Sequence, residues 1–294
     1  MQLALTGATG FVGRHVIRLA VRRGYEVVAF TRDPLRPVHD CIETRKFTTA
    51  EPPDLTGCNA VIHLAGENVG GLWTRGKMRR IRDSRILGTQ RIAAAIRASS
   101  HPPDVFVCAS AIGFYGDSGD AEITEDSPPG TGFLAETCRA WETEALAAEP
   151  ICRTVRTRIG LVLGKGGGAL RMMLPIFRLG LGAKMGSGRQ WLSWIHVGDL
   201  AALLLFAVEN LDVRGALNAA APWPVRNAEF TSTLARSLHR PAFLTVPAFA
   251  LRLLLREFSR ELLDSKRVLP AAATAHGFGF QFPQLAAALT DLAA

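Results

Sequence analysis

The chain has 294 residues, 48% of them hydrophobic, and a formal net charge of +8, which is enough apolar material for a sizeable core and excludes a disordered chain. Its five cysteines are scattered with no CxxC pair, an arrangement that argues against any metal site and for a reduced, cytoplasmic setting. No export signal precedes the first strand-like run at Leu3, and the greasiest segment, Phe243 to Leu255, is broken by Pro247 and Arg252; it falls short of the roughly 20 apolar residues of a bilayer span, so no membrane partner is expected and the segment reads as a packed helix.

Through the first half of the chain, short apolar runs alternate with helical patterns, as a parallel sheet with crossover helices requires. Leu3–Leu5, Glu26–Phe30, Ala60–Leu64, Val105–Ala109 and Thr154–Ile159 read as buried strands; Phe11–Arg23, Lys77–Ala98 and Leu134–Ala148 read as helices. Ala50 to Gly57, with Pro52 and Pro53, reads as a loop. Beyond Gly164 comes a glycine-rich stretch to Gly168, then Gly186 to His196, a helix over Asp199–Glu209 and a short strand at Ala216–Asn218. These elements predict an α/β fold. A Rossmann-type doubly wound parallel sheet takes residues 1–164 and about 195–220, and a smaller C-terminal substrate domain takes 165–194 and 221–294.

The basic residues Lys77, Arg79, Arg80, Arg82 and Arg85 cluster on one predicted helix. No aromatic side chains interleave with them as stacking platforms, so nucleic acid is not an expected partner. A solvated helix face is the plain reading and an anion-binding rim the alternative.

The strongest local signal is Leu3-Ala-Leu-Thr-Gly-Ala-Thr-Gly-Phe-Val-Gly13, which places Gly7, Gly10 and Gly13 three apart at a strand-to-helix turn. The first glycine permits the tight turn, the second lets the backbone approach a pyrophosphate, and the third lets helix and strand pack closely; the free N–H groups of the helix start then face the anion. At the end of the second strand stand Thr31 and Arg32, where sites that prefer NAD usually hold a carboxylate. An arginine fork suits a 2′-phosphate, so NADP(H) is the expected cofactor and NAD(H), with Asp33 adjacent, the lesser alternative. The strand at Ala60 runs out into Leu64, Ala65, Gly66 and Glu67, small enough in part to let a ligand lie alongside. The expected cofactor set is therefore Gly7, Thr9, Gly10, Phe11, Val12, Gly13, Thr31, Arg32, Leu64, Ala65, Gly66, Glu67 and Leu161. His63, inside its strand, reads as a packed core residue rather than a catalyst.

Together, Thr6-Gly-Ala-Thr-Gly-Phe-Val-Gly13, His63-Leu-Ala-Gly66, Ser110-Ala-Ile-Gly-Phe-Tyr-Gly116 and Trp194-Ile-His-Val-Gly-Asp199 resemble the extended short-chain dehydrogenases that act on nucleotide sugars. More narrowly, Gly66-Glu-Asn68 with Ser84-Arg-Ile86, the run from Gly164 into Arg189-Gln-Trp191, and Gly277-Phe-Gly-Phe280 resemble the atypical "epimerase family" branch, some of whose members carry the label of cell-division inhibitors. One departure is Leu72, where that branch leads one to expect an arginine before Trp73. The wider family uses a Tyr-x-x-x-Lys pair as acid and base, with a serine that orients the substrate. Here the residues four positions after Tyr25 and Tyr115 are Ala29 and Gly119, and the family's lysine position corresponds to Cys138. The resemblance makes Ser110 the family serine and Tyr115 the tyrosine of its glycine loop. These two are the catalytic candidates, although a phenol without a nearby lysine keeps a pKa of about 10. Glu67, Glu136, Cys138 and His196 are further ionisable candidates, and His196 beside Asp199 reads equally as a brace for its loop.

Arg158, Arg189 and Gln190 are the expected substrate contacts, with a salt bridge as the competing role for the arginines. The sequence thus points to an NADP(H)-binding, epimerase-like or oxidoreductase-like enzyme acting on a nucleotide sugar or another anionic small molecule. The alternative is a non-catalytic NADP(H)-dependent regulator, for example of cell division. The helices at Lys77–Ala98 and Leu134–Ala148 offer outer faces to a second copy of the chain in a homodimer, or leave them wet.

Overall fold

The computed structural model describes residues 1–293. Its centre is a seven-stranded sheet made of β1 (Gln2–Thr6), β2 (Glu26–Thr31), β3 (Glu43–Lys46), β4 (Ala60–His63), β5 (Val105–Ala111), β6 (Arg153–Ile159) and β7 (Gly215–Ala219). The spatial order is β7-β6-β5-β4-β1-β2-β3 and every neighbouring pair is parallel. Chain order therefore reverses between β1 and β4, and the crevice at the carboxyl ends of those two strands is the point at which such a sheet takes its ligand.

Both faces of the sheet are covered, which is why its strands are apolar throughout and yet strictly two-faced. Leu3, Leu5, Val27 and Ala29 point to one side, where α1 (Phe11–Arg22) contributes Val16 and Ile17, and α4 (Val197–Glu209) contributes Leu200 and Leu204. Ala4, Val28, Phe30 and Phe106 point to the other, against Ile92 and Ile96 of α2 (Arg75–Ala98) and Trp141 of α3 (Phe133–Leu146). A third apolar cluster joins Leu163 and Phe177 to Trp194, Phe230, Leu234 and Leu289.

Two expectations are corrected. The connection between β2 and β4 is not only loop: Glu43-Thr-Arg-Lys46 forms β3 at the sheet edge. This strand escaped notice because it is a charged, partly exposed edge strand without apolar alternation, the form that protects an edge from pairing with another chain. The segment Phe243 to Leu255 is not a packed helix. Only Ala248–Leu255 is helical and only Leu251 on it is buried; Phe243, Phe249, Leu253 and Leu254 are 70–79% exposed. Among the described residues no helix is long and apolar enough to cross a membrane.

Candidate functional site

The crevice is built around the β1–α1 turn. Gly7 adopts φ +72°, and a Cβ there would stand 2.9 Å from the carbonyl carbon of Leu64, so no other residue lets β1 pass this close to the end of β4. A Cβ on Gly13 would overlap the carbonyl oxygen of Gly7, and one on Gly10 would sit 3.0 Å from it. The three spacings thus serve one compact turn. Gly10 caps α1 without any side-chain hydrogen bond, and the first backbone donor to find a helical partner is Arg14 N, which reaches Gly10 O at 3.1 Å. The N–H groups of Phe11, Val12 and Gly13 open the helix and remain available to an anion. The ring of Phe11 is held from outside by the glycine-rich stretch: a Cβ on Gly164 would stand 2.5 Å from its Cζ, and one on Gly167 would overlap the ring. That run of glycines, remote in sequence, lets the chain lie flat on the head of α1.

Thr6 ties the two strands together. Its hydroxyl accepts the N–H groups of Leu64 at 3.1 Å and Ala65 at 3.2 Å, and shares a hydrogen bond with His63 Nδ1 at 2.6 Å. His63 is fully buried, and burial, with Arg85 nearby, pushes its pKa down to about 3. It is a neutral brace of the crevice floor. Beyond it, Glu67 accepts from Lys77 Nζ at 2.7 Å, a bond that holds its carboxyl below the usual range.

At the end of β2, an open cleft of about 780 Å³ is lined by Thr9, Thr31 and Arg32 together with Arg14, Arg18 and Arg36. The four arginines are exposed, and among the described residues none has a carboxylate within 4.0 Å. Asp33 turns an oxygen to Leu35 N at 3.3 Å, and Thr31 donates to Asp33 O at 2.8 Å, which fixes the turn. Sequence reasoning found Arg32 alone. Arg14 and Arg18 stand one turn apart on α1, and the i, i+4 spacing of two arginines just after Gly13 was the available signal for them.

The expected catalytic and substrate residues lie elsewhere and are differently occupied. Ser110 and Tyr115 are buried. Ser110 donates to Glu142 Oε1 at 2.7 Å, while Tyr115 donates to Asn218 Oδ1 at 2.7 Å and accepts from Arg158 Nη1 at 2.8 Å. Burial raises the Tyr115 pKa, only partly offset by Arg158, so it is no base near neutral pH. Arg158 is not a free substrate cation: it is 4% exposed, forked onto Glu142 at 2.9 Å through both Nε and Nη2, and stacked 3.6 Å over Phe114. Gln190 is likewise committed, its amide donating to the carbonyls of Met185 and Leu262. Arg189 keeps an exposed side chain. Leu161 opens a short strand, Leu161–Leu163, paired with Trp194–His196. Glu136 is exposed in the first turn of α3, and Cys138 is buried with its thiol pushed up to about 12 by desolvation. His196 accepts Gly198 N at 3.1 Å, lies 4.1 Å from the ring of Phe282, and has its pKa lowered chiefly by burial; Asp199 accepts from Gln281 N and Phe282 N at 2.9 Å each. Both residues staple the C-terminal segment to α4.

The basic helix face also resolves. Arg85 turns inward, on the stripe it shares with Ile81, Gly88 and Ile92, and donates to the carbonyls of Glu67 and Ile81 at 3.0 and 3.1 Å. Trp73, on the loop before α2, packs against Phe133 and Phe258 with ring centroids 5.2 and 5.4 Å apart, closing the crevice on the C-terminal side.

Comparison with known proteins is consistent across the whole length. A family model described as the NAD dependent epimerase/dehydratase family matches residues 3–220, and a second, described as a domain of unknown function, DUF1731, matches residues 246–292. The mouse epimerase family protein SDR39U1 is 38% identical over 301 residues, covering 100% of both chains. The chloroplastic SDR39U1 homolog of Arabidopsis thaliana is 38% identical, over 98% of this chain and 86% of that protein. Among solved structures, human SDR39U1 (isoform 2), crystallised with NADPH, superposes with a TM-score of 0.92 at 36% identity, covering 100% of this chain and 99% of that one.

Proposed function

The chain belongs to the NAD dependent epimerase/dehydratase family, and from that premise we propose that it binds NADP(H) across the carboxyl ends of β1, β2 and β4 and uses it on a small substrate beneath the C-terminal part. The observation that carries this reading is the cleft at the end of β2, where four exposed arginines with no ion-pair partner outnumber the two carboxylates, Asp33 and Asp40, that also line it. The glycine turn suits the same ligand, since side chains at Gly7, Gly10 and Gly13 would fill the space a pyrophosphate and its helix need. The NADPH in the human SDR39U1 structure supports it. In this reading the N–H groups of Phe11, Val12 and Gly13 hold the pyrophosphate, Arg14, Arg18, Arg32 and Arg36 hold the 2′-phosphate, and Leu64, Ala65, Gly66 and Leu161 border the remainder.

When bound, the nicotinamide supplies two-electron hydride chemistry. A phenolic proton relay is disfavoured in this reading, because Tyr115 and Ser110 both bond into the network around Glu142 and Arg158. Turnover therefore calls for a substrate whose proton is exchanged with solvent or carried by the substrate itself, anchored at its anionic end by Arg189. That same closed network favours a second reading, in which cofactor occupancy controls a partner and no substrate is turned over.

Titration of the purified protein with NADPH and NADH, followed by nicotinamide fluorescence, tests the cofactor assignment; a clear preference for NADPH is expected, and equal binding of the two would overturn it. A panel of sugar nucleotides and small carbonyl compounds with NADPH then separates the two readings. Oxidation of NADPH with any of them, or isomerisation of a sugar nucleotide with no net change in the cofactor, supports the enzyme, and tight binding with neither supports the regulator.

A further inference from the structure

On the C-terminal part, large apolar side chains stand in water. The helix Leu170–Arg178 is followed by a turn and the strand Ala183–Met185, and that strand pairs in parallel with Leu244–Val246, which leads through Pro247 into the helix Ala248–Leu255. The pairing holds the two stretches together: a Cβ on Gly180 would meet the ring of Pro241 at 3.7 Å, and Gly186 N donates to Val246 O at 2.8 Å. Ile176, Leu179, Phe243, Phe249, Leu253 and Leu254, all carried by these stretches, are 52–79% exposed. The helix Ala248–Leu255 reads Ala-Phe-Ala-Leu-Arg-Leu-Leu-Leu, apolar nearly all round, and the fold buries Leu251 alone. Such a helix belongs in a core or against an apolar medium, and apolar side chains gathered on a surface in this way mark a contact site. The charge around them has one sign. From 170 to 184 and from 236 to 256 the chain holds no aspartate or glutamate, whereas Arg171, Arg178, Arg240, Arg252 and Arg256 are exposed there, and among the described residues none of these has a carboxylate within 4.0 Å.

We propose that this face lies on an anionic lipid surface, its apolar side chains entering the boundary between headgroups and acyl chains and its arginines meeting the lipid phosphates. The arginine stems add apolar length, since a guanidinium can stay at headgroup level while its methylenes lie deeper. A second copy of the chain does not suit the face, because a symmetric contact would set arginine against arginine. A lipid surface supplies negative charge and apolar depth together, and it needs no matching shape from side chains that stand on two helices, a turn and the lead-in to a strand. The contact is peripheral. Among the described residues no helix is long and apolar enough to span a bilayer, and a helix that lies on the surface needs none of that length. It is also independent of the cofactor.

Co-sedimentation of the full chain with vesicles at low salt tests this. Binding is expected to vesicles of equal parts phosphatidylcholine and phosphatidylglycerol, and to be weaker by at least about tenfold for phosphatidylcholine alone. Leu253→Ser/Leu254→Ser should weaken binding to the anionic vesicles about tenfold, and Arg252→Gln/Arg256→Gln about 30-fold, each with an unchanged melting temperature, because all four side chains are exposed. Phe243→Ser, which lies outside the helix, should also weaken binding and serves in place of a helix variant that loses its fold. Equal binding to the two kinds of vesicle, or binding that survives both double variants, overturns the assignment. So does a chain that ignores vesicles: if it sediments as a dimer that the leucine variant splits, the face belongs to a second copy, and if it sediments as a monomer, to an acidic protein segment.

Discussion

At the end of β2, four arginines stand exposed around an open cleft with no carboxylate within 4.0 Å among the described residues, whereas under β5 and β6 two further arginines, Arg156 and Arg158, are locked onto the buried carboxylate of Glu142 at 3.3 and 2.9 Å. Both regions are cationic, and they do opposite things with the charge. Unpaired and hydrated, the first set keeps its field for an incoming anion and loses little by waiting for it. The second set shares the one carboxylate of Glu142, and Arg158 is bonded as well to Tyr115 and to the Glu125 carbonyl. A buried guanidinium without its carboxylate would be costly, so this region holds itself closed and has nothing to offer a substrate phosphate. The lesson is that a cation's use is decided by whether a carboxylate lies within reach, and not by its nearness to the crevice.

The sharpest way to break that contrast is Glu142→Ala. It leaves Arg156 and Arg158 without their shared partner and is expected to destabilise the fold by about 3–5 kcal/mol, read as a drop in the denaturant midpoint with NADPH affinity intact in the protein that remains folded. A loss below about 1 kcal/mol would mean that the pair is open to water. Smaller is the effect of Tyr115→Phe, which deletes the bonds to Asn218 and Arg158; about 1–2 kcal/mol of stability should be lost. NADPH binding should not change, and any turnover found in the substrate panel should persist. Abolished turnover at wild-type stability would restore Tyr115 as the proton donor.

The effect at His63 depends on pH. Its folded pKa is pushed down to about 3 from 6.5, chiefly by burial and then by Arg85. In the unfolded chain His63 takes up a proton below about pH 6.5, whereas in the folded chain it stays neutral, so its contribution is complete above 6.5 and is lost as the pH falls from there toward 3. The slope from this group is up to about 1.4 kcal/mol per pH unit. Stability curves of His63→Phe between pH 7.5 and 4.5 should be flatter than those of the wild type by that amount. Parallel curves would show that His63 is hydrated in the fold.

Much of the fold was legible because it depends on short-range patterns. The three-residue glycine spacing at Gly7, Gly10 and Gly13 marked the turn, and apolar runs marked β1, β2, β4, β5 and β6 to within a residue or two. Strand β3 was hidden because Glu-Thr-Arg-Lys has no apolar face to read. The site was legible only where one segment makes it. Arg32 follows directly from its place after β2, but Arg14, Arg18 and Arg36 join it through the packing of α1 and a loop against the same strand end. Arg85 was masked by the basic residues around it, although its four-residue distance from the buried Ile81 already placed it on the inner stripe of α2. Ser110 and Tyr115 were singled out by the family resemblance, and Arg158 as a cation suited to an anionic substrate, with a salt bridge as its competing role. What fills their hydrogen bonds, Glu142 and Asn218, lies on α3 and β7, 32 residues from Ser110 and 103 from Tyr115 along the chain.

The central claim is that the open arginine cluster selects the 2′-phosphate, and the most direct measurement is the ratio of NADPH to NADH affinity in the wild type and in Arg32→Ala/Arg36→Ala, at fixed low salt so that screening does not blur the comparison. Loss of two charge-assisted contacts is expected to weaken NADPH by about 100-fold, leave NADH nearly unchanged and bring the ratio close to one. A variant that keeps the wild-type preference, or that loses both cofactors equally, would contradict the account and move the selection of the cofactor away from the end of β2.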